Sequence, residues 1–224
     1  MKKCTAILFL ILFTGVSASS QDSSRFFYES TLSKGVGFTL QDIAYERVSI
    51  PTSELLYYSF GAGTALDARL GVRMFSGFSL SADGSYRLIY MSKSENFGRK
   101  NKSRATIAQK TAGGSLHYTL RSKTPDLWLT GATFNAGIDH YFPATLKRIK
   151  NTETLEDIEY QETTGFHLEA MLTFLLFPDQ NIEMLLGIKY HNVSFKADEM
   201  PEREEFNTID GQGIDFSIGI RGSL

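Results

Sequence analysis

The chain has 224 residues, with 23 lysines and arginines against 25 aspartates and glutamates, so its formal net charge is −2. A near-neutral chain without a basic domain argues against nucleic acid as a partner, because nucleic-acid binding needs clustered positive charge. The length suits one domain. No segment after residue 20 approaches 18 consecutive apolar residues, which excludes a membrane-spanning helix.

The first twenty residues have the features of a secretory signal peptide. Two lysines open the segment, an apolar run from Ala6 to Val16 follows, and small residues precede residue 21. We therefore expect cleavage of residues 1–20 and one exported domain over residues 21–224. The only cysteine, Cys4, lies in the leader, so the mature chain has no disulfide and no thiol chemistry.

Eight segments of the mature chain alternate apolar and polar residues with a period of two, which indicates β-strands rather than helices. In the second segment Leu66, Leu70 and Val72 lie in one row, and Asp67 and Arg69 lie in the other. In chain order the predicted strands are residues 32–41, 56–74, 78–90, 107–121, 127–142, 164–176, 182–195 and 212–224. The pattern predicts an all-β protein.

The third predicted strand contains Asp83–Gly84, a dipeptide typical of two-residue hairpin turns. A turn there would put Tyr86 on the face opposite to Phe78 and Leu80. A continuous strand keeps these apolar residues on one face, so we predict no turn at this position.

The connections between the predicted strands alternate in length. The short ones are residues 75–77, 122–126 and 178–181, and the long ones, which are polar, are residues 42–55, 93–106, 143–163 and 196–211. Short turns at one end and long loops at the other are typical of a transmembrane β-barrel. The sequence Phe75-Ser76-Gly77 predicts a three-residue hairpin loop with glycine in the left-handed conformation.

The predicted strands exceed the 5–6 residues or so usual in soluble proteins and reach the 9–11 or so needed to cross a bilayer. Aromatic residues collect near both ends of the strands, which predicts two interfacial girdles. Those toward the short turns are Tyr28, Phe78, Tyr118, Trp128 and Phe174, and those toward the long loops are Tyr58, Phe60, Tyr90, Phe142, Phe166 and Tyr190.

The row opposite the apolar one contains many acidic and basic residues. A soluble core would not bury so many ions, because desolvation costs several kcal/mol per ion, whereas a narrow barrel lumen can hold them as pairs. The predicted lumen network comprises Asp67, Arg69, Arg73, Asp83, Arg87, Glu169, Lys189, Asp215 and Arg221. The turn lengths predict a register in which Arg69 faces Asp83, Glu169 faces Lys189 and His167 faces His191.

The leader, the eight alternating strands, the alternately short and long connections and the apolar last strand resemble the small outer-membrane β-barrel superfamily of OmpA/OmpX type. The resemblance implies an eight-stranded antiparallel up-and-down transmembrane barrel with short periplasmic turns and long extracellular loops. It also implies outer-membrane lipid and lipopolysaccharide as surroundings and a monomeric state. The chain ends Arg221-Gly222-Ser223-Leu224, without the terminal aromatic residue of that superfamily.

Two kinds of chemistry compete with a purely structural interior. His167, His191 and Glu169 have the side chains of a metal site, but ordinary polar packing explains them too, so we predict no metal and no cofactor. Lipid-A deacylases of similar size have a histidine and a serine two residues apart on a lipid-facing strand. Here His140 is followed by Tyr141 and Phe142, so the pattern is not matched. Palmitoyl-transferring barrels need an apolar interior, and the predicted interior is charged. We therefore predict no enzymatic activity.

The long loops are the remaining candidates for function. Residues 93–106 carry a net charge of +4 and residues 196–210 a net charge of −4. The first could contact lipopolysaccharide phosphates and the second divalent cations or a basic partner, while solvated surface loops explain both. We predict a structural or surface-interaction role, with an extracellular or envelope protein docking through the loops. The alternatives are a lipid-A-modifying enzyme and a narrow channel or secretion-system accessory barrel.

Overall fold

A computed structural model describes residues 25–37, 41–42, 57–58, 63–94, 102–122, 128–150, 153–154, 157–177, 182–199 and 207–224. The expected signal peptide and the turn at residues 178–181 lie outside these ranges, as do most residues of the connection at 42–55. No helix in the described part of the chain is long and apolar enough to cross a bilayer.

Eight long strands form a closed antiparallel barrel, as the alternation predicts. They are β1 (Phe26–Gly37), β2 (Gly63–Arg73), β3 (Phe78–Ser94), β4 (Lys102–Arg121), β5 (Leu129–Tyr141), β6 (Thr163–Phe177), β7 (Ile182–Asn192) and β8 (Gly213–Ser223). Each strand pairs with the next one in the chain, and β8 pairs with β1 to close the ring.

The first two predicted strands differ from those of the structure in their limits. The first strand begins at Phe26, six residues before its predicted start. The second predicted strand is two elements, because β2 begins at Gly63 while Tyr57–Tyr58 pairs separately with Gln41–Asp42. Gly63, the first residue of β2, has a φ of 117°, a conformation that glycine adopts easily.

The predicted hairpin at residues 75–77 is confirmed. Phe78 N donates to Phe75 O at 2.8 Å, and Met74 N donates to Phe78 O at 2.9 Å. Gly77 has a φ of 85°, and a Cβ atom at this position would lie 2.6 Å from Thr119 O. The turn therefore needs glycine. Beyond it, β3 runs unbroken through Asp83–Gly84, as predicted.

The long connections are not simply loops. Ala144–Lys150 pairs with β4 beyond the barrel rim, and Ile158–Tyr160 and Glu153–Thr154 pair with Ala144–Lys150. Ser194–Lys196 pairs with Thr208–Asp210, and a bridge between Tyr160 and Ala197 joins the two groups. We call these short strands, with the rim-crossing parts of β3 and β4, the extracellular sheet. Treating residues 93–106, 143–163 and 196–211 as loops was therefore wrong in part.

The outer wall of the barrel is an exposed apolar belt. Leu70 is 63% exposed, Ile138 64% and Phe216 57%. Aromatic pairs lie toward both ends, with Phe78 and Tyr118 4.8 Å apart near the short turns and Phe166 and Tyr190 6.0 Å apart near the other end. A wall of this kind is stable in contact with lipid, because exposure of so many apolar side chains to water would be unfavourable.

Candidate functional site

The charged row of each strand lines the lumen of the barrel. Alternation puts every second side chain inside, so residues that would face solvent in a sandwich face one another here. The buried members of the predicted network are Asp67, Arg69, Arg87, Glu169, Lys189, Asp215 and Arg221. Asp83 has a side chain that is 8% exposed, and Arg73 is half-buried.

Arg69 on β2 contacts three carboxylates at the centre of the lumen. Its Nη1 lies 2.6 Å from Glu169 Oε2 and 3.2 Å from Glu29 Oε2, and its Nε lies 3.8 Å from Asp83 Oδ1. The side chains of Arg69, Glu29 and Glu169 are almost completely buried. Loss of one partner from a buried pair costs about 3–5 kcal/mol, since a charge is left uncompensated. Arg69 thus links four strands of the wall.

Arg221 on β8 forms the periplasmic side of the network. Its Nη2 and Nε lie 2.6 and 2.7 Å from Glu29 Oε1, and its guanidinium carbon lies 5.8 Å from the centre of the Phe27 ring. Phe27 is buried in the lumen beside it. Arg73 lies at the periplasmic mouth, where its Nη2 donates to Ser223 Oγ at 3.0 Å.

Two further ion pairs form the outer layer of the network. Lys189 Nζ donates to Asp67 Oδ1 at 3.0 Å, and Thr31 Oγ1 donates to the other Asp67 oxygen at 3.3 Å. Arg87 makes two parallel hydrogen bonds to Asp215, of which the one from Nη1 to Oδ1 is 3.0 Å long. Paired donors of this geometry fix the orientation of both side chains.

Some ion pairs in the lumen do not join the residues that lie opposite each other on adjacent strands. The predicted opposite positions are confirmed for Arg69 with Asp83 and for Glu169 with Lys189. However, Glu169 pairs with Arg69, and Lys189 pairs with Asp67, both on β2 across the lumen. Eight strands enclose a space so narrow that long side chains from opposite walls meet.

Sequence reasoning missed Glu29, which joins Arg69 to Arg221. The first strand was predicted to start at residue 32, and this left Glu29 outside it. A signal was present, since Phe27, Glu29 and Thr31 continue the inward row of the strand toward its N-terminal end, and all three are buried.

Two of the three groups of the alternative metal site, Glu169 and His167, have other partners. Glu169 Oε2 accepts hydrogen bonds from Arg69 and from Asn135 Nδ2, the latter at 2.9 Å. His167 Nδ1 lies 2.7 Å from Asp139 Oδ2. Across the described residues, no group of three or more histidine, cysteine, aspartate or glutamate side chains is arranged to hold a metal ion.

The lumen is apolar at its extracellular end, so the expectation of a charged interior was right only for its lower part. Ile89, Ile107 and Tyr141 continue the inward rows of β3, β4 and β5. With the extracellular sheet they form one buried cluster, here called the extracellular core, which comprises Ile89, Ile107, Tyr141, Ala144, Leu146, Ile158, Tyr160, Val193, Phe195, Ala197 and Ile209. The described side chains therefore occupy the lumen at two levels, one ionic and one apolar.

Comparison with known proteins finds similarity to solved structures only. No protein-family model and no curated protein matches the chain. Among solved structures, the chain is similar to Neisserial surface protein A (NspA), at 11% identity and a TM-score of 0.53, over 89% of this chain and 97% of that one. It also matches the outer membrane protein AlkL, at 10% identity and a TM-score of 0.48 over 93% and 94%. A third match is Ail, the attachment invasion locus protein of Yersinia pestis, at 8% identity and a TM-score of 0.40 over 90% and 97%.

Proposed function

Since the chain is an eight-stranded outer-membrane β-barrel with the OmpA/OmpX-type fold, we propose that it is a non-enzymatic docking protein of the cell surface. The proposal rests on the extracellular sheet and its core. Leu146, Tyr160 and Phe195 are each no more than 1% exposed, although all three lie in connections that a simple barrel would leave as loops. A packed sheet beyond the bilayer presents a fixed surface to partners.

Charge indicates where a partner docks. β3 and β4 are the longest of the described strands, since β3 continues to Ser94 and β4 begins at Lys102. Around the end of the hairpin that these two strands form, residues 93–106 carry five basic residues and one acidic residue. We propose that this basic tip meets an acidic surface, such as an anionic polysaccharide or an acidic protein, because opposite charge steers encounter and increases the rate of association.

The basic tip can be tested by neutralisation. Proteoliposomes that carry the protein should bind an immobilised sulfated polysaccharide, and they should lose that binding when Arg99, Lys100, Lys102 and Arg104 are changed together to Gln. The matched control changes Glu199, Glu202, Glu204 and Glu205 to Gln and should bind at least as well as the parent protein. Equal binding by the parent and the basic-tip variant, or binding by neither, contradicts the proposal.

The absence of enzymatic activity is a separate part of the proposal. Overexpression in a Gram-negative host should leave the mass spectrum of its lipid A unchanged. A new acylated or deacylated species that depends on the protein would instead favour the lipid-A-modifying alternative.

A further inference from the structure

The outer wall of the barrel has two charged side chains among the outward-facing ones that the structure describes on its eight strands. They are Lys34 on β1 and Lys110 on β4, and both are exposed. Neither belongs to the lumen network or to the basic tip. A lysine on the lipid side costs about 2–4 kcal/mol at the bilayer midplane and close to nothing at the interface. The two lysines therefore mark the level of charged headgroups.

Lys110 lies between two aromatic residues of the outer rim. It is the register partner of Tyr86 on one side, and on the other its carbonyl oxygen accepts a hydrogen bond from Phe142 N at 3.0 Å. Tyr86 is 47% exposed and Phe142 is 42% exposed. Exposed aromatic rings of this kind occupy the membrane–water interface, so Lys110 is held at the depth of the outer-leaflet phosphates.

Lys34 lies on the same rim, and its distance from Lys110 indicates how large a headgroup the two lysines can bind together. Successive register partners lead from Lys34 through Thr64 and Leu88 to Ala108, two residues from Lys110. Three strand spacings amount to about 14 Å across the wall, and the two residues from Ala108 to Lys110 add about 7 Å along the strand. The Lys34 side chain leans toward Lys110, since its Nζ lies 3.5 Å from Thr64 Oγ1. A headgroup with two phosphates can reach both lysines at this separation, whereas a single phosphate reaches one.

The wall below Lys110 leaves room for an acyl chain. Gly84 and Ala112 are register partners that lie two residues further into the bilayer than Tyr86 and Lys110. A Cβ atom at Gly84 would have Thr111 O, 3.9 Å away, as its nearest contact. The packing of the barrel therefore does not require glycine here, and the low surface remains available to lipid.

One acidic group lies near the headgroup level. Glu162 Oε2 is 3.5 Å from Nε2 of His140, the register partner of Ala112. This carboxylate is exposed and engaged with the imidazole, so it leaves Lys110 as the cation that faces the lipid at this part of the rim.

We propose that Lys110 and Lys34 bind the two phosphates of one lipopolysaccharide molecule in the outer leaflet, with Tyr86 and Phe142 beside the headgroup and an acyl chain over Gly84 and Ala112. The inference depends on the outer-membrane fold and is independent of the docking function proposed above. It assigns the lipid-facing wall beside β4 a bound lipid of defined chemistry.

Native mass spectrometry of the refolded protein with added bisphosphorylated lipid A tests the charge requirement. K110Q and K34Q should each weaken lipid A binding by about fivefold, the effect of one lysine near an anionic surface. K147Q removes an exposed lysine of the extracellular sheet and should bind like the parent. Unchanged binding by K110Q overturns the site.

Two further arms identify the lipid. Lipid A without phosphates should bind as weakly to the parent as to a protein lacking both lysines, and phosphatidylglycerol, with one phosphate, should bind less tightly than lipid A. Equal binding of phosphatidylglycerol overturns the assignment to lipopolysaccharide. G84L, which fills the low wall, should weaken binding, while A170L places a leucine on β6, between Phe134 of β5 and Ile188 of β7, and should not. Heat-modifiable migration confirms that each variant is folded.

Discussion

At the scale of single residues, substitution of the buried Glu29 is the strongest test of whether the lumen network stabilises the barrel. It pairs with both Arg69 and Arg221, and its side chain is 1% exposed. E29Q would leave two buried guanidinium groups without their shared carboxylate. We expect a loss of about 3–5 kcal/mol in the free energy of unfolding, measured by denaturant titration with the fluorescence of Trp128, the only tryptophan.

The matched control for this prediction is E159Q. Glu159 is exposed on the extracellular sheet, and an exposed charge contributes about 0–1 kcal/mol at most. If E29Q and E159Q unfold at the same denaturant concentration, the network does not stabilise the barrel.

The residue scale is also where sequence reasoning reached its limit. Alternation correctly placed Asp67, Arg69 and Glu169 inside, because a period of two needs no knowledge of the partner strand. It could not show that Glu169 meets Arg69 rather than Lys189. That contact depends on how the wall curves and which side chains meet across the axis, and neither is written in the spacing of one strand.

At the scale of elements, the hairpin between β2 and β3 depends on one glycine. G77V introduces a side chain at a φ of 85°, and its Cβ would lie 2.6 Å from Thr119 O. A left-handed non-glycine residue costs of order 1–3 kcal/mol, so G77V should lower the temperature of the heat-modifiable gel transition. G84A places a methyl group where the nearest contact is 3.9 Å. A transition shifted equally in both variants would contradict the role of the turn.

Element prediction succeeded where one face is uniformly apolar and failed where polar composition was taken to mean a loop. The eight barrel strands have long apolar rows and were found in the right order. The extracellular sheet was missed because its strands are short and lie among charged residues, although Leu146 and Ile209 keep the alternation locally. Burial of these side chains needs partners from distant segments, which a local pattern does not contain.

At the scale of the whole molecule, the barrel consists of an apolar wall, a charged lower lumen and an apolar extracellular core. The first two follow from alternation once the wall is assigned to lipid, which is why fold and location were predictable. The third reverses the polarity of the inward rows at Ile89, Ile107 and Tyr141. That reversal marks where the lumen ends and the extracellular sheet begins.

This layered interior predicts that the protein does not conduct ions. In planar bilayers the parent protein should show no discrete current steps, because the described side chains fill the lumen at two levels. Changing Arg69 and Glu169 together to Ala removes the central ionic contacts but leaves the extracellular core in place, so that variant should remain silent as well. Current steps in the parent that disappear in the double variant would instead make the charged lumen a conduction path, and the narrow-channel alternative would replace the docking role.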